Sequence, residues 1–425
     1  MPNNFVNLPF ILQGDVPHIE VLGQHVIVLN SVKTAMELLD KKSSVYSDRP
    51  VLPMCGELVG WKRSLGFLSH GDRFRCYRKN MHRVIGSRTA MEVYNPLEEV
   101  ETHRFLKRVL AKPEQLQAHI RHAAGAIILR ISYGYDVEEN DDPFVDLADR
   151  GVDQLSRSTA PSCLHVAQVP EWFPGAGFKR LAREWRQTLD EMVDAPYKFV
   201  DDQMAAGIAP ASFTSNLLEV SALSAEEDRN VKRSALSLYG GSDAKKAQAE
   251  IDAIVGTDRL PSFADRDSLP YIEALVKEIL RWNVVAPTGV MHCVSEDDIH
   301  AGHYIPKGSV VIPNVWFMLH DPRTYANSSQ FRPEHFLDND GKDPEPEPRT
   351  ICFGFGLHLA DASVWIFAVM SLAAFDISKA VENGVEITPE VDPSTGTISH
   401  SKPFKRSIKP RSAKAVALIQ QDVNY

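Results

Sequence analysis

Apolar side chains recur at helical spacing along most of the chain. Segments with this period lie at 31–40, 90–132, 181–204 and 245–254. Two short β-rich runs flank Gly23 within residues 18–30, which predicts a hairpin, and strand patterns return at 292–315 with turns at Gly302 and Gly308. Because neither repeats nor a clear linker interrupts this pattern, we predict a mainly α fold with a small β region, in one domain spanning residues 1–425.

The stretch SLPYIEALVKEILRW, residues 268–282, has the clearest helical pattern. Ser268 is predicted near the N-cap and Pro270 in the first turn, positions that both residues favour. Glu278 and Arg281 lie three residues apart, so a carboxylate and a guanidinium share one helix face. This spacing is weak evidence by itself, because it recurs where an exposed ion pair is the expected interpretation, at Glu101/Arg104 and Glu226/Arg229.

Composition excludes several classes of protein. The formal charge is −10 and no Lys/Arg-rich run is present, so nucleic acid is not a predicted partner. The five cysteines are far apart without a CxxC pair, which argues against disulfides and structural zinc and favours a reducing compartment. The N-terminus lacks a signal-peptide pattern, and the richest apolar run, 364–375, is shorter than the ~20 residues of a membrane span. We therefore predict no N-terminal membrane anchor.

The stretch RTICFGFGLHLADASVW, residues 349–365, contains the main candidate for metal binding. Cys352 follows Arg349 by three residues, and Gly354 follows Cys352 by two. A cysteine that binds iron needs thiolate character, supplied by the charge of the metal and by backbone N–H donors in a turn. A buried, inert thiol is the alternative. Both interpretations of Cys352 stay open at this point.

Several motifs follow one another in an ordered set: the ExxR helix, the FRPEHF segment at 331–336, an acidic loop, and the Cys/Phe/Gly stretch before an apolar helix. This order resembles the cytochrome P-450 family of haem-thiolate monooxygenases, and the overall amino-acid sequence is similar to those of fungal members. The resemblance extends through VLGQHVIVLN, YSDRP, GDRFRCYRKNMHR and KPFKRSIKPRS. It implies a cytochrome P-450-like fold, haem b with its iron, and electrons from NADPH delivered by NADPH-cytochrome P-450 reductase.

The resemblance also implies an activity: insertion of one atom of O₂ into an apolar small molecule, in fungal secondary metabolism. A cytoplasmic location, or a peripheral one at the endoplasmic reticulum, would accompany it. Glu278, Arg281 and His335 match the structural triad of the family, in which His335 replaces the more usual arginine. A histidine offers a smaller, titratable donor than a guanidinium fork.

The family pattern assigns further residues to the cofactor. Arg78 matches a helical arginine that contacts a haem propionate, and His292 matches a propionate donor on a strand. Arg349 and Phe353, which flank Cys352, are assigned to haem contacts, and Cys352 itself to the iron. For Arg78 and His292, the alternative interpretation is a surface charge or a satisfied core residue.

The first departure from the family follows Gly240, Gly241, Ser242 and Asp243, which match the start of the oxygen-activating motif. The family continues with a threonine and a long apolar helix, whereas here a charged run follows directly. Relative to the spacing in the family, about twenty residues are missing before the ExxR helix, which corresponds to ~30 Å of helix. Asp243 is therefore the catalytic candidate, and an ordinary turn aspartate is the alternative.

The second departure lies at Gly356, which leads directly into LHLADASVW, where the family has a basic pair and Cys-Pro-Gly. About six loop residues, including the usual thiolate, are missing by this comparison, and Cys352 is the local substitute. We therefore predict an incomplete fold in which the helix that follows has lost packing partners. The alternative is that the chain is a shortened, catalytically incompetent relative of the family, which lacks the thiolate ligand and acts, if at all, as a non-enzymatic ligand-binding protein.

Overall fold

A computed structural model describes residues 14–21, 23–159, 172, 176–218, 247–338, 343–352, 357–387 and 405–422. Helices dominate, which confirms the predicted mainly α fold. The α-helices are α1 Val32–Ala35, α2 Ser43–Tyr46, α3 Asp72–Ile85, α4 Arg88–Glu92, α5 Asn95–Ala111, α6 Leu116–Tyr133, α7 Pro143–Ser158, α8 Gly177–Ala205, α9 Phe213–Leu218, α10 Ala247–Ile254, α11 Pro270–Trp282, α12 Val315–His320, α13 Arg349–Cys352, α14 Leu357–Ala374 and α15 Ala413–Gln420.

The β region is small, as predicted, and most of its strands pair in hairpins. The strands are β1 His18–Val21, β2 Gln24–Leu29, β3 His292–Cys293, β4 Asp298–His300, β5 His303–Ile305, β6 Val310–Pro313, β7 Phe375–Lys379, β8 Val381–Glu382, β9 Val385–Glu386 and β10 Arg406–Pro410. One sheet has the order β1-β2-β6-β3, in which β2 and β6 run parallel. Gly23 turns the predicted first hairpin with φ +79°, a conformation that glycine adopts without steric cost.

Three local predictions need correction. Residues 31–40 are not one regular helix, because α1 passes into a π-helical turn at Met36–Lys41 that buries Leu38. The segment 90–132 divides into separate helices around Pro113, since proline lacks the N–H that would continue α5. Ser268 ends the 3₁₀ helix Phe263–Ser268 instead of capping α11, whose N-cap is Leu269.

The main core joins α5, α10, α11 and α14. Helix α14 is apolar around most of its circumference, as expected for a helix that packs on several sides. Trp365, Ile366 and Val369 are fully buried in it. The expectation that this helix has lost its packing partners is therefore wrong. Within the described ranges, every helix is too short or too polar to span a membrane.

Candidate functional site

Glu278 and Arg281 form a fully buried ion pair on α11. The Arg281 Nε donates to Glu278 Oε2 at 2.6 Å, and its Nη2 donates to Oε1 at 2.7 Å. The remaining guanidinium N–H groups donate to the carbonyls of Leu319, Ser328 and Gln330 at 2.9–3.0 Å. Burial of a charge is costly without such partners, and this arrangement supplies one acceptor for each of the five N–H groups of the guanidinium.

His335 joins this pair from the 3₁₀ helix Pro333–Phe336. Its Nδ1 lies 3.3 Å from Glu278 Oε2, and its Nε2 donates to the Ala326 carbonyl at 2.7 Å. The Arg332 backbone N–H donates to Glu278 Oε1 at 2.6 Å. We call Glu278, Arg281 and His335 the meander cluster. The structure thus brings the three residues of the predicted triad into contact.

The second ExxR pair within the described residues, Glu101 and Arg104, was predicted to be exposed, but the structure shows it to be partly buried. Glu101 is buried on α5, and Arg104 Nη1 donates to its Oε1 at 2.7 Å from a half-buried position. Burial therefore does not distinguish the α11 pair as sharply as expected. The arginines do differ, because the Arg281 side chain is fully buried whereas that of Arg104 is 31% exposed. Glu226 and Arg229 lie outside the described residues.

Arg78 lies exposed on α3. Its guanidinium carbon is 5.7 Å from the centre of the Phe74 ring, four residues earlier, at cation–π distance. The helix is strongly basic, and its first turn carries Asp72. The geometry therefore places Arg78 within a positive surface rather than in a closed cofactor pocket.

His292 lies on β3 and is largely buried. Its Nδ1 lies 2.7 Å from the Tyr46 carbonyl, which can only accept, so Nδ1 carries the proton. Burial, followed by the charge of Arg49, lowers the pKa of His292 to about 4. The imidazole is therefore neutral near pH 7, and its Nε2 is an acceptor. In the protein alone, His292 thus donates its hydrogen bond to the Tyr46 carbonyl.

Arg349 begins α13 and is buried. Its guanidinium makes ion pairs with Glu273 at 2.6 Å and with Asp361 at 2.6 Å. Burial works to lower the pKa of Arg349, but the neighbouring carboxylates, Asp361 first, raise it overall. Arg349 thus contacts protein carboxylates from two other helices. Phe353 and Asp243, the other predicted cofactor and catalytic residues, lie outside the described residues.

Cys352 ends α13 against the apolar core. Its Sγ–H donates to the Leu280 carbonyl at 3.3 Å. Burial, with a smaller contribution from Glu347, raises the pKa of the Cys352 thiol to about 12. In the protein alone, the thiol is therefore neutral near pH 7 and acts as a hydrogen-bond donor. The described residues also hold no group of three or more His, Cys, Asp and Glu side chains with metal-binding geometry.

Two buried polar features were not predicted from the sequence. Arg266 and Asp361 form an ion pair at 2.7 Å next to the Arg349 contacts. Glu98 on α5 accepts a hydrogen bond from Ser363 at 2.8 Å, and burial raises the pKa of Glu98 to about 8. Each involves partners far apart in the sequence, so no local spacing could have revealed it.

Comparisons with known proteins agree with the ordered motifs. The sequence model of the family described as cytochrome P-450 matches residues 2–243 and 244–386. The break falls where the sequence predicts a missing segment. Cytochrome P-450 monooxygenase 208 of Postia placenta is 48% identical over 438 residues, covering 96% of this chain and 85% of the relative. The monooxygenase claR of Ampulloclitocybe clavipes is 44% identical, with 96% and 82% covered.

A third relative, the cytochrome P-450 monooxygenase ppsD of Aspergillus oryzae, is 39% identical over 448 residues, covering 96% of this chain and 84% of the relative. These alignments are longer than the 425 residues of the chain, so the relatives contain segments that it lacks. Their identity nevertheless extends across almost all of it. The chain therefore belongs to the cytochrome P-450 family, and its family-level function is that of a haem-dependent monooxygenase.

Proposed function

We propose that this chain inserts one oxygen atom into an apolar small molecule of fungal secondary metabolism, with electrons from NADPH delivered by NADPH-cytochrome P-450 reductase. The observation that carries the proposal is the similarity of 96% of the chain to fungal proteins named as monooxygenases. We place the protein in the cytoplasm or at the periphery of the endoplasmic reticulum, where such a reductase would reach it.

Haem iron, when bound, supplies the oxygen chemistry of this family. The described residues do not fit a thiolate-bound haem at Cys352, because its Sγ is directed at the Leu280 carbonyl and packs in the apolar core. The Nδ1 of His292 is already used by the Tyr46 carbonyl. We therefore assign neither residue a step in the reaction. The proposed activity rests on family membership, whereas the meander cluster accounts for the fold around the site.

The surface of α3 supports an acidic redox partner. Arg73, Arg75, Lys79 and Arg83 are exposed on this helix, although the whole chain carries a net charge of −10. A local positive surface steers an acidic partner during encounter, and salt screens the attraction. We expect the rate of electron delivery to fall as ionic strength rises. A double variant, Arg75→Gln with Lys79→Gln, should reduce this salt dependence without changing thermal stability.

The activity test uses the full chain, co-expressed with a fungal NADPH-cytochrome P-450 reductase and supplied with haem. A panel of apolar molecules is then searched for NADPH-dependent oxidised products by mass spectrometry. The matched control is the same chain with a Cys-Pro-Gly-containing loop inserted after Gly356. Product from the unaltered chain supports the proposal. Product from the loop-containing control alone contradicts it for this chain.

A further inference from the structure

Four charged side chains form a closed ring between separate elements. Arg349 Nε lies 2.6 Å from Asp361 Oδ1, and Asp361 Oδ2 lies 2.7 Å from Arg266 Nη2. Arg266 Nη2 in turn lies 3.0 Å from Glu273 Oε2, and Glu273 Oε1 closes the ring at 2.6 Å from Arg349 Nη2. Two guanidinium groups and two carboxylates thus alternate, so their charges cancel.

The ring is shielded from water. The side chains of Arg349, Arg266 and Asp361 are 10%, 14% and 16% exposed, and that of Glu273 is 28% exposed. A second neutral pair extends it, since Lys277 lies 2.9 Å from Glu347, which also approaches Arg349 at 3.6 Å. Removing one member from such a set leaves a charge poorly compensated in a low-dielectric setting.

The ring joins α11, α13, α14 and the 3₁₀ helix Phe263–Ser268. Arg349 and Asp361 stand on either side of residues 353–356, the stretch where the chain is shorter than the family pattern. Their ion pair therefore holds the two ends of this stretch together. These two ion pairs direct the Nε and Nη2 edges of the Arg349 guanidinium towards carboxylates of the protein itself.

Cys352 is held at the same junction by a different contact. Leu280 lies in the last turn of α11, where carbonyl groups lack an intrahelical donor, and the Cys352 thiol donates to it. Cys352 also packs with the two apolar clusters around α11. These contacts make Cys352 a packing residue at the junction of α11 and α13.

We propose that Arg349 and Cys352, the two described residues of this stretch that the sequence assigns to the haem and its iron, instead form a structural lock with Arg266, Glu273 and Asp361. The lock fixes α13 and α14 against α11, and neither residue contacts haem in this chain. This inference does not depend on the proposed function, because the contacts form between protein groups alone.

A double-mutant cycle tests the ring. Arg349→Met, Asp361→Asn and the double variant are unfolded in urea without haem. We expect the two substitutions to be coupled by a factor of about ten in the unfolding equilibrium constant, as for groups in one ion-pair network. If the Met variant does not fold, Arg349→Lys, which keeps the charge but loses the fork, is used in its place. Independent effects of the two substitutions would overturn the ring.

The matched control cycle uses Lys198 and Asp202 on α8, whose side chains are 73% and 62% exposed. These residues form an ion pair between neighbouring helical turns, so only a small coupling is expected. A coupling in the control as large as that between Arg349 and Asp361 would remove the evidence for a special role of the ring. It would thus also overturn the proposal.

Spectroscopy tests Cys352. The full chain and its Cys352→Ala variant are mixed with haemin, reduced and exposed to CO. We expect the same Soret band position, or the same absence of haem binding, in both proteins. A red-shifted thiolate-type band that is present in the parent and lost in Cys352→Ala would overturn the proposal. The Soret band is measured without product formation. The proposal about Cys352 can therefore be refuted while the proposed monooxygenase activity is confirmed, and it can be confirmed while that activity is refuted.

Discussion

Two charge clusters on the same helix, α11, are built differently. In the meander cluster, Glu278 and Arg281 are fully buried, and three of the five Arg281 N–H groups donate to backbone carbonyls. In the lock, Glu273 is partly exposed and binds side chains from other elements. The meander cluster therefore fixes the path of a backbone segment, whereas the lock fixes the relative positions of helices.

This difference predicts unequal consequences of losing one member. Backbone carbonyls cannot turn away when a charge is removed, so the meander cluster has no alternative set of contacts. In the lock, each guanidinium contacts more than one carboxylate and keeps a partner when one is lost. The following predictions test this contrast, first by substitution in each cluster, from the larger effect to the smaller, and then by pH and by haemin.

Glu278→Ala should have the largest effect. It leaves the Arg281 guanidinium buried without its counter-charge, which costs about 3–5 kcal/mol for a buried pair. Because the total stability of a domain is only about 5–15 kcal/mol, we expect little soluble, folded protein. Expression yield and urea unfolding measure this. Asp202→Ala, which breaks an exposed pair, should cost under ~1 kcal/mol and serves as control. Equal tolerance of both would refute the role given to the meander cluster.

Glu273→Gln should have an intermediate effect. It removes one of the two negative charges of the lock and leaves one positive charge uncompensated, but Asp361 still contacts both Arg266 and Arg349. We expect a loss of about 1–3 kcal/mol in the free energy of unfolding, typical of a weakened charged hydrogen bond. The same change at the exposed Glu184 provides the control. A cost at Glu273 that equals the cost of Glu278→Ala would abolish the distinction between the clusters.

Glu98 provides a pH-dependent test near the lock. Burial raises its pKa to about 8 in the folded state, above the ordinary value of 4.5. Between pH 4.5 and pH 8, the folded state therefore keeps the Glu98 proton, whereas the unfolded state has lost it. The stability that depends on this proton is fully present below pH 4.5 and declines as pH rises towards 8, by up to ~1.4 kcal/mol per pH unit.

Glu98→Gln keeps an acceptor for Ser363 but cannot ionise. The difference in unfolding free energy between parent and variant should therefore change in favour of the variant from pH 5 to pH 8. Thermal or urea unfolding across this range measures it. The pKa of His292 is lowered on folding, so its contribution to the unfolding free energy increases as pH rises, opposite to that of Glu98. This contribution is the same in parent and variant, so it cancels when the two unfolding free energies are subtracted. A constant difference would show that Glu98 is ionised when folded.

The difference that Cys352 makes to haemin binding should be the smallest effect. A cofactor present at a thousandfold excess over its dissociation constant stabilises the folded state by about 4 kcal/mol. Because Cys352 and Arg349 bind protein groups in the lock, we expect haemin to change the melting temperatures of the parent and of Cys352→Ala by the same amount. An increase of many degrees that is retained in Arg349→Lys would indicate haem contacts elsewhere in the chain.

The sequence predicted the meander cluster because its first two members lie three residues apart on one helix and His335 follows in a family motif. The lock could not be predicted in the same way. Asp361 lies 95 residues after Arg266, and only the packing of α14 against the 3₁₀ helix Phe263–Ser268 brings them together. Likewise, the spacing of Cys352 from Arg349 suggested a ligand loop, but its neighbour across the fold is a helix carbonyl.

The parallel pairing of β2 with β6 has a consequence for synthesis on the ribosome. Asn314, which follows β6, donates to Asn30, which follows β2, across 284 positions of sequence. At about 5–20 residues per second, the first hairpin waits roughly 15–60 s for its neighbouring strand. During this time, one edge of β2 has unpaired backbone groups and can pair with another chain. The hairpin of β1 and β2 is therefore a segment of the nascent chain that a chaperone could protect until β6 is made.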